Sequence, residues 1–210
     1  MQKESTLDLF RRAILSGICI GIGGTVFLSC DNQYVGAFLF TLGLFVIVTR
    51  GMALYTGMVG YLSQRENLNW NYIKQLVVVL LGNGVGTAAA GYALGFTRRA
   101  PLTEKAAALC EVKTGDSMLS LFLLAIGCGI LMFVAVDGYK KLSDSVLKVV
   151  GLFLCIVVFI MSGFEHSIAD IFYFSAAGAW SMHSLLCVIV IVLGNAVGGN
   201  IIPLLQPKKK

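Results

Sequence analysis

The sequence predicts an all-α integral membrane fold of six transmembrane helices in two inverted three-helix repeats, with the second and fifth helices broken. Three observations carry that expectation. The chain of 210 residues is 57% hydrophobic and only 13% charged, with a mean hydropathy of +0.84, whereas a soluble domain is about 45–50% apolar and about 25% charged. Its apolar runs are continuous and near the ~20 residues a helix needs to cross hydrocarbon, unlike the short alternating strands of a barrel. Finally, one pattern of polar punctuation occurs in each half.

Taken in order, the first span is expected from Arg12 to Ser29 and the second from Tyr34 to Gly51, continuing to Leu62. The third covers Tyr72 to Phe96 and the fourth Ser117 to Val136. The fifth runs from Val146 to Ser162 and resumes after a break to Ala177; the sixth runs from His183 to Leu205. The whole chain, 1–210, reads as one transmembrane domain, with repeats over about 12–96 and 117–205. No separate signal peptide is evident, because residues 1–12 are polar and basic and no small-residue cleavage site follows.

Charge sets the expected orientation. Lys3, Arg11, Arg12, Arg65, Lys74, Lys140, Lys141, Lys148 and Lys208 to Lys210 fall on one side of six spans. Arg98, Arg99, Lys105 and Lys113 fall on the other, in one connection. Short loops rich in Lys and Arg stay cytoplasmic, so both termini are expected inside a plasma or inner membrane. This distribution accounts for the net charge of +5 without a nucleic-acid partner. The cysteines (Cys19, Cys30, Cys110, Cys128, Cys155 and Cys187) form no C-x-x-C pair and read as buried thiols.

The repetition is legible in the residues. Leu81-Gly-Asn-Gly-Val-Gly86 in the third span matches Leu193-Gly-Asn-Ala-Val-Gly198 in the sixth. The second span breaks at Gly51-Met-Ala-Leu-Tyr-Thr-Gly-Met58 and the fifth at Gly163-Phe-Glu-His-Ser-Ile-Ala-Asp170. Three spans per half force the halves to be inverted, and matching interruptions in inverted halves point to a central binding or permeation site. Glycine pairs four apart, such as Gly17/Gly21 and Gly194/Gly198, suit close helix packing, and Asn83 and Asn195 are expected to hydrogen-bond between helices.

Glu165, His166 and Asp170 form an ionisable cluster inside an apolar run. At membrane depth such a cluster is costly and marks a functional site. His166 and Asp170 are four apart and would share a helix face, but two ligands are too few for a metal, and no nucleophile or cofactor motif supports an enzyme. A satisfied structural histidine is one remaining reading. The other is a pore whose polar centre is an imidazole, a group that titrates near neutrality and both donates and accepts.

Ser162-Gly-Phe-Glu-His-Ser-Ile-Ala-Asp-Ile-Phe172 resembles the signature of the formate/nitrite transporter family, usually G-F-E-H-S-V/I-A-N-M-F. Gly51–Met58 resembles that family's other break, Phe122–Val136 its fourth helix and Glu111-Val-Lys113 the preceding E-A-K. The resemblance implies a homopentamer of aquaporin-like protomers in the bilayer, each passing small monovalent anions or their weak acids: formate, nitrite, hydrosulfide, acetate or lactate. It places His166 and Thr56 at the pore centre and Lys113 in the outer vestibule. It places constrictions at Phe40 and Phe159 toward the outside and at Leu44, Leu54 and Tyr55 toward the cytoplasm. No cofactor is implied.

The sequence departs from the family pattern at Ala53, Met58, Gly129, Asp170 and Arg50. Gly129 stands where a pore-adjacent Asn commonly follows Cys, and Asp170 where an Asn is usual. Glu165 and Asp170 read as electrostatic support, with Arg50 expected to be neutralised by one of them, since an unpaired charge there is expensive; the competing reading is that Arg50 faces the pore and strengthens anion attraction. These departures leave a non-conducting membrane sensor or assembly protein as the alternative function. A neutral-solute channel is third, because no Asn-Pro-Ala motif occurs.

Overall fold

The structure, a computed structural model, describes residues 5–64 and 66–206. Of the charges used to orient the chain, Lys3, Arg65 and Lys208 to Lys210 lie outside these residues. The described residues form helices and connections: α1 (Thr6–Ser29), α2 (Gln33–Thr49), α3 (Tyr55–Met58) running into a 3-10 turn (Val59–Tyr61), and α4 (Trp70–Gly95). Then come α5 (Leu102–Gly115), α6 (Met118–Lys141), α7 (Ser145–Met161), α8 (Ser167–Ala177) and α9 (Met182–Leu205).

Helix starts follow from short polar side chains. Ser5, Asn32, Asn69, Ser117, Asp144 and Ser181 each accept a first-turn backbone N–H that the helix itself leaves unpaired. Helices α1, α4, α6 and α9 are 24, 26, 24 and 24 residues long. At about 1.5 Å per residue they exceed the ~30 Å hydrocarbon core, and all four are apolar enough to cross it. Their outward faces are apolar as well: Val77, Leu81 and Val85 on α4, and Leu186, Ile189, Leu193 and Val197 on α9, are exposed. Stripes of this size would not face water. The protein is a membrane protein.

The helices pair as α1 with α4 and α6 with α9, with α2 against α1 and α7 against α6. The short pieces cross over between halves: α8 rests on α4, and the 3-10 turn after α3 rests on α9. Small residues permit the closest approaches. A Cβ on Gly17 would collide with the α4 backbone at Asn83 and Thr87, and one on Gly129 with the α9 backbone at Asn195 and Gly199. Gly129 therefore faces α9 and not a pore. The Asn expected there from the family pattern has no room at this helix separation.

One element escapes the sequence reading. The stretch holding Arg98 to Lys113, predicted as a connection, contains the 14-residue α5. Leu102, Ala106 and Cys110, spaced four apart, bury one face of it. Its low hydropathy hides it beside the spans, and it carries Lys113 on a rigid element instead of a solvated loop.

Candidate functional site

The site is made by the two helix breaks. Helix α2 ends with Gly51 at φ +62° and α7 with Gly163 at φ +67°. In each case the glycine N–H and the next N–H donate back to the closing turn: Gly51 to Val48 and Met52 to Ile47, Gly163 to Ile160 and Phe164 to Phe159. This left-handed closure favours glycine, which lacks the Cβ that would strain it. The chain then runs extended through Leu54 (φ −117°, ψ 128°) and His166 (φ −113°, ψ 105°), the residues that start α3 and α8.

Two asparagines hold the extended strands. Asn83 on α4 donates to the carbonyls of Ala13 and Ala53 and accepts from Tyr55 N–H. Asn195 on α9 donates to the carbonyls of Ala125 and Glu165 and accepts from Ser167 N–H. The sequence separations are 70, 30 and 28 residues in both halves. Identical wiring thus satisfies the backbone groups that each break frees, as buried backbone requires. Asn200, not singled out from the sequence, adds a further tie: it accepts from Ser63 N–H and donates to Val59 C=O. The polar residue inside the otherwise apolar sixth run was its signal.

His166 sits at the N-terminus of α8, where its Nδ1 accepts from Ala169 N–H at 3.1 Å. A backbone N–H can only donate, so Nδ1 carries no proton, and the neutral ring carries its proton on Nε2. That Nε2–H then donates to Thr56 Oγ1, 3.0 Å away across the two breaks. Thr56 and His166 are both buried. Both ring nitrogens are engaged, and Asp170 points elsewhere, so the pair that would share a metal on a continuous helix is not assembled.

Phe159 stacks on the His166 ring, with centroids 5.7 Å apart, and Phe40 meets Phe159 edge-on at 6.2 Å. Above these rings lies a cavity of about 180 Å³, whose lining includes Phe40, Lys113, Phe159, Glu165, His166 and Asp170. Another, of about 480 Å³, is lined by Arg12, Leu54, Tyr61, Asp137, Lys140 and Lys141 among others. Leu44 is buried in the apolar core. Tyr55 is turned onto α9, its hydroxyl donating to Val192 C=O at 3.3 Å.

The electrostatics differ from expectation. Lys113 reaches from α5 to both Glu165 and Asp170, the latter at 2.9 Å, and the three side chains are 12%, 8% and 2% exposed. Arg50 is exposed at the end of α2 and is not the partner of either carboxylate. Its exposure removes the need for neutralisation, because a long charged side chain at a helix end can keep its head group solvated. At the first break a different cation acts: Arg12 donates to the carbonyl of Gly51.

The sequence model described as Formate/nitrite transporter matches residues 1–206. The chain belongs to the formate/nitrite transporter family. Formate channel BtFdhC of Bacillus thuringiensis is 29% identical over 79% of this chain and 68% of that protein. The "Uncharacterized transporter YrhG" of Bacillus subtilis (strain 168) is 27% identical over 81% and 68%. A solved structure described as a pentameric formate channel with formate bound shares a TM-score of 0.80 at 26% identity, covering 97% of this chain and 96% of its own. Family members are transporters and channels, not enzymes.

Proposed function

We propose that this family member is a pore for small monovalent anions or their conjugate acids, passive or proton-linked, in the cytoplasmic membrane. The observation that carries the reading is the Thr56–His166 hydrogen bond of 3.0 Å. It supports a neutral donor-acceptor pair at the junction of two broken helices, with His166 lining one cavity and Leu54 and Gly57, on either side of Thr56, lining another. Formate is the first candidate substrate, since the matched pentameric structure holds it and a relative is a formate channel. Nitrite and hydrosulfide share its charge and small size.

The geometry supports a definite sequence of events. The cavity bearing Lys113 faces outside, and there the ammonium it shares with Glu165 and Asp170 offers an entering anion a charged hydrogen-bond donor. The rings of Phe40 and Phe159 exclude hydrated ions, since a bare charge in a low dielectric costs many kcal/mol. Desolvation at the rings raises the anion's proton affinity, so it crosses as the neutral acid. At the centre Thr56 has its hydroxyl hydrogen to offer, and the N-terminal ends of α3 and α8 add partial positive charge. Leu54 closes the path on the second side before the cavity of Arg12 and Lys140. Oppositely oriented halves, both termini inside and a pentamer of such pores complete the proposal.

Proteoliposomes test it. Vesicles carrying the protein and given formate, nitrite, hydrosulfide, acetate or glycerol are expected to show protein-dependent flux of the weak acids and none of glycerol. Flux of no solute would favour the sensor, and flux of glycerol alone a neutral-solute channel.

A further inference from the structure

We propose that Glu165 and Asp170 hold one proton between them at neutral pH, and that this carboxyl pair hands it to the anion entering beside Lys113. The proposal rests on the pore reading above for its second half only. Two carboxylates share one ammonium: Lys113 contacts Glu165 and lies 2.9 Å from Asp170 Oδ1. With both acids ionised the group would carry an excess negative charge, and all three side chains are nearly nine-tenths buried or more. Two carboxylates gathered on one buried ammonium do not readily both ionise. Asp170 Oδ2 is buried with no hydrogen-bond partner among the described residues, a position an ionised oxygen tolerates poorly and a neutral carboxyl far better.

Among the described residues, the other titratable groups around the pair offer no second positive charge. They are Cys110 and Lys113 from α5, Cys128 from α6, Tyr173 from α8 itself and Cys187 from α9. His166, next in the chain to Glu165, is neutral by its bond from Ala169 N–H. The Glu165 backbone is held by Asn195, which fixes where its side chain starts beside Lys113. The pair also lines the cavity through which an anion would reach Phe159. In the transfer, the carboxyl O–H bond breaks as an O–H bond forms on the anion's oxygen. The carboxylate left behind takes its next proton from water on the Lys113 side.

The test is infrared spectroscopy of the full-length protein in membranes, with Asp170→Asn and Glu165→Gln as single variants. Asp170→Asn keeps shape and hydrogen-bonding reach, and Glu165→Gln covers the case in which it fails to assemble. At neutral pH the wild type is expected to show a protonated-carboxyl stretch that shifts in heavy water. Either variant should remove it, because the remaining carboxylate then pairs alone with Lys113. Absence of the band in the wild type, or its persistence in both variants, overturns the proton site. In flux assays Asp170→Asn should lower weak-acid uptake at neutral external pH by roughly tenfold or more, the scale of a lost general acid, and converge on wild type in acid. Equal uptake at neutral pH overturns the transfer. A band that behaves as expected in a protein with no flux would sink the pore reading while the proton site stands.

Discussion

The imidazole of His166 lies stacked on the ring of Phe159, with centroids 5.7 Å apart and planes inclined by 26°. Phe159 is thus a roof over the central polar group, and it belongs to the helix turn that closes at Gly163. On the proposed pore reading, replacing Phe159 with Ala should widen the constriction it forms with Phe40. The expected result is a higher ratio of lactate to formate flux, measured in the same vesicles. An unchanged ratio would place the size filter elsewhere.

Lys113 and Arg50 should behave oppositely. Removing the one cation shared by Glu165 and Asp170, as in Lys113→Met, leaves buried acid without its partner and is expected to destabilise by about 3–5 kcal/mol. Arg50→Met, at an exposed helix end, should stay within about 0.5 kcal/mol. Thermal unfolding of the detergent-solubilised oligomer compares the two directly. A larger loss for Arg50→Met would restore a structural role for that residue.

Asn83 and Asn195 each tie three backbone groups, so Asn→Leu at either position should cost about 2–4 kcal/mol, with buried donors and acceptors left unmade. Stability alone should not distinguish them, because the wiring is the same. Transport should: Asn195 holds Glu165 and Ser167 on either side of His166, so Asn195→Leu is expected to lose more flux per folded protein.

At Gly163 a substituted side chain would meet nothing within 4 Å. The penalty for Gly163→Ala is then the left-handed backbone alone, about 1–2 kcal/mol. Gly129→Ala has a free backbone but no space against α9, and the oligomer is expected not to assemble. Size-exclusion profiles of the two variants check this contrast.

Much of this architecture is legible in the sequence because membrane helices advertise themselves by hydropathy and the breaks by polar residues inside apolar runs. Helices occupy the apolar runs, and both interruptions fall where the polar residues indicate. What is hidden depends on direction in space. Helix α5 has the composition of a loop, and only its packed face makes it a helix. The partner of Glu165 and Asp170 could not be chosen between Arg50 and Lys113 by sequence distance, since each lies in a different element. Gly129 reads as a missing polar group until the α9 backbone is found against it.

The most direct test of the central claim is formate flux into proteoliposomes across pH for wild type, His166→Ala and Thr56→Ala. His166→Ala removes the ring that caps α8 and bonds Thr56, and flux should vanish or change its pH dependence in a protein that still assembles. Thr56→Ala should weaken flux while leaving the cap of α8 intact. Formate flux with unaltered rate and pH profile in the assembled His166→Ala protein would contradict a pore centred on this histidine.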